Sequence, residues 1–326
     1  MKKLILFGGK GGTGKSVISA ATSVLISKKY KTYIISFDIT HSLSDIFDIK
    51  IGDDVTRISH NLFAVEPDPN KVAEKNAGEI LSRLRTMLNN MRMDRIFPSF
   101  RTLIDLMRPE FLPSAIKYTT LLNYVTRDEE KYDIVIADFP PTSSMFALLE
   151  FPKLCLDYLL GRGLEASKGI IPFGEMVSSI LTPSKIVQGD SKSSLLREAR
   201  SLREGAIKVN QRLKEASLRL VTFPEKTSVN ETYRCAEFAK NYTNLEAIYI
   251  NRLIPHCILE TSEFLRRKGA VQEKYTDEIR RKFSDKMIWE IPELEYEPIG
   301  LSKLEETAEI MYKNCSLDEA ALFEKV

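Results

Sequence analysis

Seven short apolar runs, at residues 4–7, 32–37, 63–65, 134–137, 218–222, 247–250 and 287–291, punctuate the chain. Several, such as LILF and IVIA, are apolar at consecutive rather than alternate positions. A strand of that kind buries both faces, which predicts a parallel sheet lying between two layers of helices. Longer stretches with helical periodicity separate the runs, and the alternation predicts a doubly wound, mainly parallel α/β fold. The rhythm breaks twice. Between the third and fourth runs, Ile80, Leu84, Met87 and Met91 form a helical stripe widened by Leu81 and Leu88. Phe100, Leu103, Ile104 and Met107 continue it after Pro98. Between the fourth and fifth, Leu195, Ala199, Leu202, Ala206, Val209 and Leu213 follow a clean helical spacing, with Arg and Glu on the other face. The segments 68–130 and 151–216 thus read as helical insertions that pack together as one subdomain on a single domain spanning 1–326.

Composition narrows the class. With 43% hydrophobic and 28% charged residues over 326 positions, the chain is ordinary for a globular protein with a sizeable core. The 47 basic and 45 acidic side chains leave a net charge of +2. No dense basic run offers itself to nucleic acid, and no such partner is expected. Cys155, Cys235, Cys257 and Cys315 lack the C-x-x-C spacing of a zinc or redox site and read as isolated reduced thiols. The opening KKLILF is too short for a signal peptide or a membrane span, and no later run approaches ~20 residues; a cytoplasmic protein is expected.

Chemistry enters at FGGKGGTGKS, residues 7–16. Gly9-x-x-x-x-Gly14-Lys15-Ser16 falls between the first predicted strand and the helical run SVISAATSVLIS, the context of a phosphate-binding P-loop. Gly11, Gly12 and Gly14 let backbone N–H groups turn inward where a Cβ would obstruct the phosphates. The helix beginning near Lys15 directs its positive end at the same charge. Lys15 is expected on the β- and γ-phosphates of ATP, and Ser16 in the shell of Mg²⁺. Lys10 is surplus to a nucleotide held in its own loop. The stretch Lys10-Gly11-Gly12-Thr13-Gly14-Lys15-Ser16 resembles the deviant Walker A pattern K-G-G-x-G-K-[S/T]. That resemblance implies that Lys10 crosses a dimer interface and supplies charge to the partner's phosphates, as an arginine finger does.

Two carboxylates stand where such a site needs them. Asp38 closes the second predicted strand in ISFDITHSLSDIF, at the end that faces the P-loop, and is expected to orient the attacking water and accept its proton. Asp138 closes the apolar run of YDIVIADFPPTSS, the Walker B pattern, and is expected to hold a water bound to Mg²⁺. The plainer reading of either aspartate is a cap on the following helix.

The chain as a whole resembles the ArsA family of arsenite-pump ATPases and of eukaryotic and archaeal factors that deliver tail-anchored membrane proteins. Its first switch, D-P-A-H-x-x-S-D, is matched by Asp38-Ile39-Thr40-His41-Ser42-Leu43-Ser44-Asp45. Its second, D-T-A-P-T-G-H-T, is matched by Asp138-Phe139-Pro140-Pro141-Thr142-Ser143-Ser144-Met145. VTFPEKTSVNETYR at 221–234 is similar to the family's P-E-x-x-x-x-x-E-T-x-R segment. YINRLIP at 249–255 is similar to its adenine-binding stretch, and IPELEYEPIGLSKL at 291–304 to the turn that closes over the base. The resemblance implies a homodimeric Mg²⁺-dependent ATPase, cytoplasmic and transiently at the membrane. Gly9, Lys10, Gly11, Gly12, Thr13, Gly14, Lys15, Ser16, Val17, Asn251 and Pro292 would bind ATP or ADP. Ser16 would bind Mg²⁺ directly, Asp38 and Asp138 through water, and Lys10, Lys15 and Asp38 would be catalytic. The first switch lacks the family's proline, and Ser143 and Ser144 replace its Gly-His, so a changed movement of the second switch is expected. The C-x-x-C of the eukaryotic factors is absent, and no zinc is expected.

The cargo is left with alternatives. Met87, Met91, Met93 and Met107 and the glycine-loosened, apolar LGRGLEASKGIIPFGEMVSSIL at 160–181 read either as core or as a groove and lid for a transmembrane helix. In the second case a tail-anchored client and a membrane receptor are the partners. A catalytic subunit of an arsenite or anion efflux pump is the alternative, although the scattered cysteines offer As(III) no thiol trio. A MinD- or ParA-like positioning ATPase shares the lysine pair, but the acidic SLDEAALFEKV is unlike a basic membrane-binding tail.

Overall fold

In the computed structural model of the chain, residues 3–37, 42–67, 131–146, 148–150, 204, 207–313 and 315–322 are described. Most belong to a compact unit built from Met1–Pro67, Glu129–Phe146 and Leu213–Val326. The second unit, Asp68–Asp128 with Ala147–Arg212, lies almost wholly outside the described residues. So do the expected insertions, apart from a helical run at 207–215, and so do the methionine stripe and the glycine-rich segment.

The elements follow in the order β1 (Lys3–Gly8), α1 (Lys15–Ser27), β2 (Thr32–Ser36), α2 (Ser42–Phe47), β3 (Thr56–Arg57), β4 (Leu62–Val65) and β5 (Ile134–Asp138). After the second unit come β6 (Ser217–Thr222), α3 (Lys226–Ala239), β7 (Asn244–Leu253), α4 (His256–Leu259), α5 (Glu263–Lys282), β8 (Met287–Pro292), α6 (Leu301–Met311) and α7 (Leu317–Leu322). The strands form one eight-stranded sheet in the order β3-β4-β2-β5-β1-β6-β7-β8, parallel throughout except for β3 against β4. All seven predicted strands are present. The sequence reading missed β3, two residues whose Thr56 and Arg57 pair with Ala64 and Phe63 and carry no apolar run of their own.

Every residue of β2, β5 and β6 is buried, as the continuous apolar runs require of strands covered on both faces. From β1 the chain moves to β2 and β4, returns to β5 between β2 and β1, and only then crosses to β6 and β7. The order therefore reverses beside β1, and a crevice at the carboxyl ends of the strands is the place for a ligand in such sheets. Register fixes what meets there. Asp138 lies opposite Phe7 on β1 and Ser36 on β2, so the loop after β1, the loop after β2 and Asp138 share one end of the sheet.

Helix α1 approaches the sheet closely because its buried face is built of small residues, among them Ser19, Ala20, Ala21 and Ser23. Its hydroxyls are satisfied within the helix: Thr22 donates to the Ile18 carbonyl and Ser23 to that of Ala20. On the far half of the sheet Arg219 is fully buried on β6. Its guanidinium donates to the Tyr249 hydroxyl at 3.3 Å and to the Ala320 carbonyl on α7 at 2.8 Å. The chain of contacts runs on from Tyr249 to Tyr312 and from Tyr312 to Thr22 on α1, each at 2.7 Å. Burial pushes both phenols above their ordinary range, so they stay protonated and able to donate.

Candidate functional site

The P-loop occupies the turn from β1 into α1. Gly9, Gly12 and Gly14 have φ of 136°, 80° and 88°, a region that L side chains rarely adopt. Gly11 has no such φ, and a Cβ there would make ordinary contact with Pro141 at 3.6 Å. The conformational demand thus falls on Gly9 rather than on Gly11. A Cβ on Gly9 would land on the Val221 carbonyl oxygen in β6, whereas a Cβ on Gly12 would meet nothing within 4 Å and would fill the cradle itself. Gly14 is the N-cap of α1, with no side-chain cap and no acidic residue in the first turn. That helix end can offer its N–H groups to an anion. The open cradle and the uncapped helix fit the phosphates of a nucleotide.

The two loop lysines go different ways. Lys15 is 5% exposed, and its Nζ donates to the Lys10 carbonyl at 3.2 Å, inside the loop. The same carbonyl accepts the Thr13 hydroxyl at 2.8 Å. The Lys10 ammonium instead lies on the outside, donating to the Thr227 hydroxyl at the start of α3 at 3.2 Å. Asn251, at the end of the buried part of β7, braces the loop: its Nδ2 donates to the Thr13 carbonyl at 2.9 Å, beside Gly14. Its Oδ1 accepts the N–H of Arg252, which sits at a φ of 59° and bends β7 there. Gln272 from α5 satisfies the freed backbone, donating to the Arg252 carbonyl and accepting the Ile254 N–H. Pro292 pairs with Leu253 across the same bend. Asn251 thus touches the loop before any base, a contact that its position in YINRLIP alone does not reveal.

Asp138 is fully buried at the end of β5, and its carbonyl accepts the N–H of Phe37 at 2.9 Å. Ser16, in the first turn of α1, is met by the Ser42 hydroxyl of α2 at 3.3 Å. A serine hydroxyl and a carboxylate are hard oxygen donors of the kind Mg²⁺ takes. Asp38 and His41 lie outside the described residues. Among the described residues no three His, Cys, Asp or Glu side chains gather around a common point.

The second switch forms a short helical segment after Pro141, whose carbonyl accepts the N–H groups of Ser144 and Met145. Ser143 and Ser144 have no positive φ, so the glycine missing from the motif leaves no strain in this conformation. Phe139 is buried edge-on to Phe37, and Met145 covers Gly8. Thr142 meets the buried thiol of Cys235 on α3, Sγ to Oγ1 3.6 Å. Burial pushes that thiol up to about 11, against 9.0 for the free group. A raised pKa means that the associated stability is intact below pH 9.0 and is lost as the pH climbs to about 11. Two results are expected: iodoacetamide labels exposed Cys257 at pH 8 but leaves Cys235 untouched in the folded chain, and Cys235→Ala flattens the decline of Tm above pH 9.

One carboxylate at this end of the sheet escaped the sequence reading. Glu66 follows β4 directly and is 1% exposed; its Oε1 accepts the N–H of Leu43 at 2.9 Å, and its Oε2 the hydroxyl of Ser44 at 2.6 Å. The rule that singled out Asp38 and Asp138, an acid at the carboxyl end of a strand, applies equally to it.

Comparison with known proteins agrees with this geometry. The model of the anion-transporting ATPase family, ArsA ATPase, matches residues 2–313. A protein of Aquifex aeolicus named as arsenical pump-driving ATPase 1 is 27% identical over 95% of this chain and 78% of its own length. ATPase ASNA1 homolog 1 of Paramecium tetraurelia is 28% identical over 97% of this chain and 94% of its own. The ATPase get3 of Pyrenophora tritici-repentis is 28% identical over 95% of this chain and 91% of its own.

Proposed function

The chain belongs to the anion-transporting ATPase family and hydrolyses ATP, and we propose that it does so as a homodimer whose two nucleotide sites are completed across the interface. The observation that carries this reading is the parting of the loop lysines. Lys15 is buried and turned into its own loop, while the Lys10 ammonium stands outside it at Thr227, able to serve a neighbour's phosphates. In this reading the N–H groups of the P-loop and of the first turn of α1 bind the phosphates, and Lys15 neutralises their charge. Asn251 packs beside the base and Pro292 on the segment that closes over it. Asp38 orients the attacking water and takes its proton. The Ser16 hydroxyl, and through water Asp138 and Asp38, would hold Mg²⁺, which when bound would supply charge neutralisation on the transferred phosphoryl group.

The work coupled to hydrolysis is the capture and delivery of a hydrophobic, tail-anchored membrane protein, handed on at a membrane receptor. ATP draws the subunits together, hydrolysis loosens them, and the exposure of a groove formed by the segments 68–130 and 151–216 changes with that cycle. Two observations favour this over an arsenite pump. The relatives named ASNA1 and get3 match over 94% and 91% of their own length, against 78% for the Aquifex relative. Cys235, buried and held protonated, is a poor ligand for As(III), which takes thiolates. The pump reading draws on the Aquifex relative's name. Among the described residues no helix is long and apolar enough to cross a membrane.

A peptide carrying a transmembrane helix, presented with ATP and then with ADP, tests the client. Binding that depends on the nucleotide and is at least tenfold tighter than that of a scrambled polar peptide is expected. Equal binding of the two peptides together with turnover stimulated by arsenite would replace this reading by the pump.

A further inference from the structure

We propose that Glu66 is a positioning residue for hydrolysis, its buried carboxylate anchoring the downstream end of the segment that carries Asp38. The inference rests on the reading of Asp38 given above. The N–H of Glu66 donates to the Gly52 carbonyl at 3.0 Å, which holds the residue at the end of β4. Its carboxylate then takes the N–H groups of Leu43 and Ser44, at 2.9 and 3.2 Å, and the Ser44 hydroxyl at 2.6 Å. The two amides belong to the first turn of α2, where no intrahelical acceptor exists, and hydrogen bonds to a carboxylate are the strong kind. Ser44 in turn accepts the Ile51 N–H at 3.2 Å, so the turn after α2 is tied to the same carboxylate.

The upstream end of the segment is fixed as well, by the Phe37 N–H on the Asp138 carbonyl at 2.9 Å. The described residues on either side of Asp38 are thus each tied down, Phe37 to β5 and Leu43 to Glu66. The hydroxyl of Ser42, next to Leu43, reaches Ser16 in the P-loop. Glu66 consequently sets where α2 stands against the loop that would hold the phosphates. A surface serine or aspartate would cap a six-residue helix without the desolvation that a buried carboxylate costs. The burial makes sense when the position of the preceding residues matters to the chemistry, since a misplacement of about 1 Å can cost about a hundredfold in rate.

Glu66→Gln keeps the volume but turns one acceptor oxygen into a donor facing the N–H groups of α2. Steady-state turnover, equilibrium binding of a fluorescent ATP analogue and thermal melting are read on Glu66→Gln, Ser44→Ala and Asp38→Asn in the full chain. A loss of kcat of roughly tenfold or more in Glu66→Gln is expected, with KM and analogue binding within about twofold, because the P-loop itself is unchanged. Ser44→Ala, which removes one of the three contacts, should lose about threefold in kcat in the same pattern. If Glu66→Gln melts below the assay temperature, Ser44→Ala decides by the same criterion. Parental kcat in both variants beside an inactive Asp38→Asn overturns this proposal alone, as does a loss that appears only in KM. Parental kcat in Asp38→Asn overturns the reading of Asp38 and this proposal with it.

Discussion

Lys10→Ala should bind ATP within about threefold of the parent and hydrolyse it roughly a thousandfold more slowly, the size of effect that a charge lent in trans has in other phosphoryl-transfer enzymes. Binding survives because the cradle is made by Gly12, Gly14, the first turn of α1 and Lys15, none of which leans on the Lys10 side chain. What Lys10 contributes to its own loop is its carbonyl, which accepts both Thr13 and Lys15, and alanine keeps that carbonyl. The sharper measurement mixes two dead proteins. In a heterodimer of Lys10→Ala with Asp38→Asn, the Lys10→Ala subunit keeps its own Asp38 and receives an intact lysine from its partner. After subunit exchange about a quarter of parental activity should return, since half of the dimers are mixed and each carries one complete site. A lysine acting within its own subunit would leave the mixture as dead as its components.

Gly9→Ala should abolish nucleotide binding and lower the stability by about 3 kcal/mol or more. The added methyl meets the Val221 carbonyl in the middle of the sheet, at a φ of 136° that alanine does not tolerate. Neither partner can yield, because Val221 is paired with Tyr249 on β7 and Gly9 follows directly from β1. Gly52→Ala is the fitting control: its Cβ would enter open space at an ordinary φ, and its unfolding free energy from urea titration should stay within about 0.5 kcal/mol of the parent. Equal losses in the two variants would mean that a general cost of replacing glycine, rather than the contact with Val221, governs Gly9.

The sheet was readable from the chain because burial on both faces writes itself as uninterrupted apolar runs, and the P-loop because its spacing is local. Contacts that join distant segments left a weaker trace. β3 owes its existence to pairing with β4 rather than to its own residues. The strain at Gly9 comes from Val221, more than two hundred positions along the chain, so the local motif drew attention to Gly11 instead. The Cys235–Thr142 contact joins α3 to the second switch and has no sequence signature at all. Glu66 is a different case. The strand-end rule reaches it, but no familiar motif surrounds it, and the eye stops at the acids that a motif announces.

The bond from Asn251 to Thr13 spans 238 residues, and the one from Arg219 to Ala320 spans 101. A ribosome adding ~5–20 residues per second needs roughly 10–50 s to travel from the first of these partners to the second in the longer pair. For that interval the nascent P-loop lacks its brace, and for most of it the glycine at its base has no β6 to rest on. The guanidinium on β6 then waits again for the carbonyl of α7. A loop made long before its partners is thus among the last parts to be finished, and a stalled or shortened chain would display apolar strands with no nucleotide site to show for them.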